Sequence, residues 1–193
     1  MLPDMNESNV IFTDKLLNWI KTEGQSKYDE SVSQYEHAVQ TAMIAKENNS
    51  NQFQIIAALL HDIGHLLLHE NQDKEDFLKF DLNHELIGSK WLEGKFPKEV
   101  TEPIKLHVSA KRFLCAKDKN YFDKLSITSK KSLKIQGGVM KTDEQEVFKG
   151  RLFYKEAILL RKWDDKAKIK GLEINSIFSF KDEIDFILKN ENK

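Results

Sequence analysis

The run Ala57-Ala58-Leu59-Leu60-His61-Asp62-Ile63-Gly64-His65 constrains this chain more than any other stretch. An apolar segment ends on an adjacent histidine and aspartate, and a further imidazole follows one helical turn later. Polar groups set into so apolar a run cost about 2–7 kcal/mol each if they stay unpaired. A bound cation is the simplest compensation. An aspartate beside a histidine also has a particular use: its two oxygens can bridge two metal ions while the histidine holds one of them.

The chain has six histidines. His37 follows Ser33 and Glu36, which read as a capping box, so it falls in the first turns of a helix. His84 lies in Asp81-Leu82-Asn83-His84-Glu85-Leu86 and His107 in Ile104-Lys105-Leu106-His107-Val108. Each sits in an apolar helical pattern that turns it inward. One such residue alone is more often a hydrogen-bonded core histidine than a ligand. Three of them beside a His-Asp pair favour a metal site. Imidazole with carboxylate suits zinc, iron, manganese or nickel and does not select among them. His69 reads as a structural or surface residue. A closing carboxylate is available in Asp164, which flanks the packed stripe Leu160, Trp163 and Ala167, with Arg161 one turn before it. The alternative is a solvated Asp164–Asp165 pair neutralised by Lys162 and Lys166.

The periodicity is helical nearly throughout, so the expected fold is all-α. Val10, Phe12, Leu16, Leu17 and Ile20 mark a first helix; a second carries His37; a third runs from about Asn51 into His61. Leu82, Leu86, Trp91 and Leu92 mark the helix of His84. Pro103, Leu106, Ala110 and Leu114 mark that of His107. Ser179 is expected to cap a last helix packed through Phe180, Ile184, Ile187 and Leu188. Gly137-Gly138 breaks the helix after Ser132, and 71–79 is a charged connection. With 193 residues, the chain is most simply one domain, 1–193.

A net charge of -1 gives no electrostatic case for nucleic acid or an anionic membrane. No apolar run approaches the roughly 20 residues of a membrane span. Cys115 is the single cysteine, which excludes an intrachain disulfide and fits a reducing compartment. Residues 1–7 lack the basic start and apolar stretch of a signal peptide, so a cytoplasmic location is expected.

The order His37, His61-Asp62, Asp164 resembles the HD-domain superfamily, and His61-Asp62-Ile63-Gly64-His65 is similar to its HDIG-type signature. His84 and His107 between them resemble the dinuclear branch, which holds phosphodiesterases and diiron oxygenases related to inositol oxygenase. A longer block narrows the resemblance. It runs through His107, Lys111-Arg112, Tyr121-Phe122, Ser129 and Gln136-Gly137-Gly138 to Arg161-Lys162-Trp163-Asp164-Asp165. It is similar to the HD-domain oxygenases of organophosphonate catabolism, over about 28–168.

The resemblance implies an HD-domain helical bundle with the metals in its core. It implies oxidative cleavage of the C–P bond of a 1-hydroxy-2-(trimethyl)aminoethylphosphonate, giving phosphate and glycine or glycine betaine. Asp62 would bridge, His37, His61 and Asp164 would complete one metal position, and His84 and His107 would serve the other. The cofactor implied is a mixed-valent Fe(II)/Fe(III) pair, with dioxygen as cosubstrate and a small phosphonate as substrate. His65, one turn beyond His61, can face the same cavity and is better placed as a hydrogen-bond donor behind the ligands or an acid–base group than as a seventh ligand.

Lys111, four residues after His107, and Arg161, three before Asp164, are the candidate grips for the phosphonate. Ser129 could add a neutral donor. Glu30 with Tyr28 is the candidate partner of the amine end, and Gln40 could line the pocket. Each has an ordinary alternative: a solvated side chain, or for Glu30 an acidic loop. The family's aminoethylphosphonate enzymes separate that tyrosine and glutamate by two residues where this chain has one, which leaves the methylation state of the amine open. A metal-dependent phosphohydrolase of the same superfamily is the main rival, since the same cations would grip a phosphoester. A degenerate module that only binds is a further one.

Overall fold

The computed structural model describes residues 1–27, 31–69 and 83–190. Tyr28, Glu30, Leu82, the connection 71–79 and the side chain of His69 lie outside the described residues.

Helix follows helix in chain order: α1 (Asn9–Glu23), α2 (Gln34–Glu47), α3 (Gln52–Leu60), α4 (Ile63–His69), α5 (His84–Leu92), α6 (Lys98–Lys117), α7 (Lys119–Lys124), α8 (Ile127–Ile135), α9 (Thr142–Lys149) and α10 (Tyr154–Lys166). A 3-10 turn, Ile177–Phe180, leads into α11 (Lys181–Asn190). The described residues contain no strand; Lys27 and Ser33 form one isolated bridge. The fold is all-α, as the periodicity predicts.

Local signals set several of these boundaries. Ser33 Oγ accepts from the Glu36 amide at 3.1 Å while Glu36 Oε2 accepts from the Ser33 amide at 2.7 Å, so the capping box forms and fixes where α2 starts. The Asn51 side chain accepts from the Gln54 amide at 2.9 Å and starts α3. Gly137 and Gly138 both have positive φ, 93° and 71°, which ends α8. The start of the last helical segment falls earlier than Ser179. Ser176 caps the 3-10 turn, its side chain accepting from the Phe178 amide, and Ser179 lies inside that turn. The packed face is as expected there: Phe180, Ile184, Ile187 and Leu188 are all buried.

Helix α6 is the axis of the molecule and packs against α3, α5 and α10, while α2 lies across α3 and α10. Phe12, Leu16, Leu17, Ile56, Leu60, Ile104 and Leu160 form the main core with the inner face of α11. A smaller cluster of Leu106, Ala110, Phe113, Met140, Phe148 and Ala157 ties α9 to α6 and α10. Val10 and Leu86, expected on packed faces, are exposed; Phe12, Leu16, Leu17 and Ile20 form the inward face of α1 as expected, and Ser89 joins Leu92 on that of α5. This packing brings the ends of α3 and α10 and the faces of α2, α5 and α6 around one point.

Candidate metal centre

His61 and Asp62 occupy the turn between α3 and α4, His37 sits on α2, His84 opens α5, His107 lies midway along α6, and Asp164 is near the end of α10. All the histidines named are buried, and Asp164 is 1% exposed. The side chains converge. Asp62 Oδ2 lies 3.3 Å from His61 Nε2 and 3.6 Å from His37 Nε2. Asp62 Oδ1 lies 3.3 Å from His84 Nε2 and 3.6 Å from His107 Nε2. Each carboxylate oxygen thus faces its own pair of imidazoles. Asp164 joins the first pair, with Oδ1 3.4 Å from His37 Nε2 and Oδ2 4.0 Å from His61 Nε2.

Close approach of the backbone makes the second pair possible. A Cβ on Gly64 would stand 1.9 Å from the His84 carbonyl oxygen, and one on Gly88 would stand 3.0 Å from the Gly64 nitrogen. Only glycine at both positions lets α4 and α5 cross tightly enough to lay His84 against Asp62.

The opposite edges of the rings are fixed by the backbone. His37 Nδ1 meets the Ala167 carbonyl at 2.8 Å, His61 Nδ1 that of Ala58 at 2.9 Å, and His107 Nδ1 that of Ile104 at 2.7 Å. A carbonyl can only accept, so in each ring Nδ1 carries a hydrogen and Nε2 is the nitrogen turned to the centre; against burial, Asp62 and Asp164 raise the His61 imidazole, so there a metal ion would take the place of a proton. His37 Nε2 and His61 Nε2 then face each other at 3.2 Å, as do His84 Nε2 and His107 Nε2. Lone pairs at that distance, with carboxylate oxygens beside them, repel unless a proton or a metal ion lies between. Metal–nitrogen and metal–oxygen bonds of about 2.0–2.2 Å place neighbouring ligand atoms about 3 Å apart, which matches this spacing. Asp62 Oδ2 is buried with no hydrogen-bond partner, and the buried oxygens of Asp164 have, besides the imidazoles, only ion pairs, of Oδ2 with Arg161 at 2.8 Å and of Oδ1 with Lys168 at 3.9 Å. His37, His61 and Asp62 form one group able to hold an ion, and Asp62, His84 and His107 a second. The residues fit a pair of metal ions that share Asp62.

The electrostatics agree with that fit. Burial works to raise the Asp62 carboxyl, yet the imidazoles around it, His61 foremost, hold it well below the usual carboxylate range. Burial opposes charge on Asp164 too, and Arg161 holds it well below the usual range. Burial, and then His84, pushes His107 down to about 3. Ionised carboxylates and a neutral imidazole are the states that bind metals.

His65 stacks on His84, ring centroids 3.9 Å apart at 17°, with Nε2 4.0 Å from Asp62 Oδ1. Burial and the neighbouring His84 hold it well below its ordinary value, as a neutral ring. Arg161 is 4% exposed and turns its guanidinium to Asp164, 2.8 Å away, and to Asp165. Tyr121 donates to the same Asp165. Asp164 and Asp165 are therefore anchored by Arg161, and the alternative of a solvated pair neutralised by Lys162 and Lys166 is ruled out.

Lys111 is buried, its ammonium donating to Ser132 Oγ at 2.8 Å and to Gln136. Burial first, then the Arg161 guanidinium, brings it down to about 7. Ser129 Oγ lies 3.0 Å from Ser126 Oγ and 3.2 Å from Lys168 Nζ, and Lys168 in turn is 3.9 Å from Asp164 Oδ1. A cleft of about 210 Å³ opens here, lined by Tyr121, Lys124, Ser126, Ser129, Asp165 and Lys168 among others.

Gln40 corrects an expectation. Its amide nitrogen donates to the Ile169 carbonyl at 2.9 Å and its oxygen accepts from the Ile169 amide at 3.0 Å. Both ends of the amide hold the chain after α10, so Gln40 does not line the pocket. Other residues escaped sequence reasoning. Lys168 shares a face with Asp164 at i+4 and could have been found by that spacing. Ser126 carries only the ordinary signal of a helix cap. Glu85, 7% exposed, places Oε2 3.6 Å from His84 Nδ1, beside the one ring of the four whose Nδ1 the three carbonyls do not fix. Its adjacency to His84 was its only signal.

Known proteins share this arrangement's sequence. A hydroxymethylphosphonate dioxygenase of Gimesia maris is 45% identical over 175 residues, covering 91% of this chain and 87% of the relative. A 1-hydroxy-2-(trimethylamino)ethylphosphonate dioxygenase (glycine-betaine-forming) of Leisingera caerulea is 37% identical over 158 residues, covering 81% and 80%. An uncharacterized protein of Acanthamoeba polyphaga mimivirus is 34% identical over 164 residues, covering 84% and 75%. No protein-family model matches the chain. Identity of this extent along nearly the whole of two named oxygenases has one meaning: the chain belongs to the phosphonate dioxygenase family.

Proposed function

We propose that this enzyme uses dioxygen to cleave the C–P bond of a small 1-hydroxyalkylphosphonate, giving phosphate and a carboxylate, with one oxygen atom entering each product. The observation that carries the reading is Asp62, whose two oxygens each face a separate pair of imidazole Nε2 atoms, in a chain related to oxygenases that act on phosphonates. The order His37, His61-Asp62, Asp164 on a helical frame supports an HD-domain arrangement.

His37, His61 and Asp164 would hold one ion, His84 and His107 the other, and Asp62 both. Breaking the C–H and C–P bonds with dioxygen calls for one-electron chemistry, which a mixed-valent Fe(II)/Fe(III) pair supplies and a redox-inert ion does not. The protein's own residues do the rest. Lys168, Ser126 and Ser129 line the cleft beside Asp164 and bring ammonium and hydroxyl donors to the phosphonate there, and Lys111, whose ammonium donates to Ser132 and Gln136, would join them by exchanging those partners for the phosphonate. Arg161 takes a different part from the direct grip expected: committed to Asp164 and Asp165, it holds the ligand carboxylate in place and adds positive field. His65, kept neutral by burial, accepts the proton of the substrate hydroxyl at Nε2.

The substrate class is set by this shared end, the hydroxyl and phosphonate. A panel of hydroxymethylphosphonate, 1-hydroxy-2-aminoethylphosphonate and its trimethylammonium analogue reads the other end, where Glu30 would favour the amines. Phosphate release that follows oxygen uptake one to one and stops when oxygen is removed is the expected result. Turnover of a phosphoester under strict anaerobiosis with a redox-inert ion, and none of the phosphonates, would replace this reading with hydrolysis.

A further inference from the structure

The guanidinium of Arg161 is held along two edges. Nη1 reaches Asp164 Oδ2 at 2.8 Å, while Nε and Nη2 fork onto Asp165, Nε meeting Oδ2 at 3.2 Å. All three residues lie in α10 at spacings of three and four, so the helix alone offers Arg161 either carboxylate. The guanidinium is planar and its donors form a rigid fork. Fixing the edge on Asp165 therefore fixes the plane, and with it the direction of Nη1 toward Asp164.

Asp165 is fixed in turn from another helix. Tyr121 of α7 donates to Asp165 Oδ2 at 2.5 Å, the same oxygen that accepts from Arg161 Nε. The ring has a defined seat: Tyr121 and Phe122 pack against Cys115, Leu125 and Leu133, and the Asp118 side chain caps α7 by accepting from the Asn120 amide at 2.8 Å. Burial pushes the phenol far above its ordinary range, so it keeps its proton and stays a donor. The Asp165 side chain is 17% exposed against 1% for Asp164. Asp165 is thus the carboxylate that water can draw outward, and the phenol is what opposes that.

We propose that Tyr121 and Asp165 are positioning residues of the metal centre, a chain from α7 that aims Arg161 and so holds Asp164 as a ligand beside His37 and His61. Tyr121 also lines the cleft, so the chain runs from the wall of the cleft to a carboxylate of the centre. The proposal rests on the placement of the metals given above. Cobalt(II) titrated into the metal-free full chain, followed by its visible absorption, tests it. The wild type should bind in two phases, of which Asp164→Ala weakens one. Tyr121→Phe should weaken that same phase about tenfold, the lower end of what partners behind a ligand contribute to metal affinity, and leave the other within about twofold. Asp165→Ala should do the same. The double variant should bind no more weakly than Asp165→Ala alone, because the phenol acts through that carboxylate. An unchanged phase in Tyr121→Phe, an equal loss in both phases, or a loss that adds to that of Asp165→Ala overturns the proposal. If Tyr121→Phe fails to fold, an unchanged phase in Asp165→Ala overturns it instead. Two phases with neither touched by Asp164→Ala would overturn the placement of the metals as well; two phases that respond to Asp164→Ala and not to Tyr121→Phe overturn the positioning chain alone.

Discussion

Asp62 splits its carboxylate between two sets of imidazoles, and no other residue of the centre does so. His37 and His61 lie on one oxygen, His84 and His107 on the other. Asp62→Ala should therefore empty both positions, taking holoenzyme from about two metals per chain to fewer than about half of one, whereas Asp164→Ala should lose metal from one position first. Metal analysis of anaerobically purified variants checks this, and a full pair retained without Asp62 excludes the bridge. Lys111 makes a second prediction at this scale. Its ammonium is brought down to about 7 by burial and Arg161, so it is charged below that pH and neutral above it. The kcat/KM for a phosphonate, which reports the free enzyme, should fall as pH rises through about 7. A charged hydrogen bond contributes about 1.5–3 kcal/mol, so the fall should span about 10–100-fold. Lys111→Arg should move that fall to higher pH, since a guanidinium stays charged.

The residues of the centre are legible because adjacency and helical spacing carry them. His61-Asp62 stands out in an apolar run, and His37, His84 and His107 sit on the inward stripes of their helices. Glu85 and Lys168 are harder to read, because a carboxylate beside a histidine and a lysine after an aspartate are ordinary surface patterns until packing buries them. Gln40 shows the reverse difficulty. Its spacing from His37 fits a pocket, but which partner its amide finds depends on a segment about 130 residues away in the chain.

At the scale of elements, the crossing of α4 over α5 sets the distance between the two halves of the centre. Gly64 is its contact point, with the His84 carbonyl where a Cβ would stand. Gly64→Ala should push α5 outward at a cost of about 1–3 kcal/mol, the range for overpacking, and reduce metal content toward about one per chain by loss of the His84–His107 position. Metal content with a melting curve separates this local effect from general unfolding; a variant that keeps both metals would mean that the crossing relaxes without moving His84. The helices of the ligands were readable in advance, since each carries a cap or an inward stripe, as at Ser33 and Asn51. The last helix is legible to within two residues, α11 beginning at Lys181 against a cap expected at Ser179, while the 3-10 turn that Ser176 caps ahead of it is too short to carry a periodic signal.

For the whole molecule, the core around Phe12, Leu17, Leu60 and Ile104 explains why a helical periodicity with no strand signal sufficed to predict the class of fold. The periodicity says nothing of which helices cross, and the centre depends on that. One connection illustrates the difference. The Gln40 amide holds both polar groups of the Ile169 peptide, just beyond α10, and His37 holds the Ala167 carbonyl two residues before. Ile169 belongs to no helix, and its side chain is half exposed, so its amide proton would ordinarily trade with solvent within the dead time of a manual experiment. Tied this way, it can trade only when α2 and the end of α10 part, which also parts His37 from Asp164. Deuterium uptake at Ile169 should therefore be as slow as in the buried turns of α6 and should become fast in Gln40→Ala, making one surface amide a clock for how often the centre comes apart.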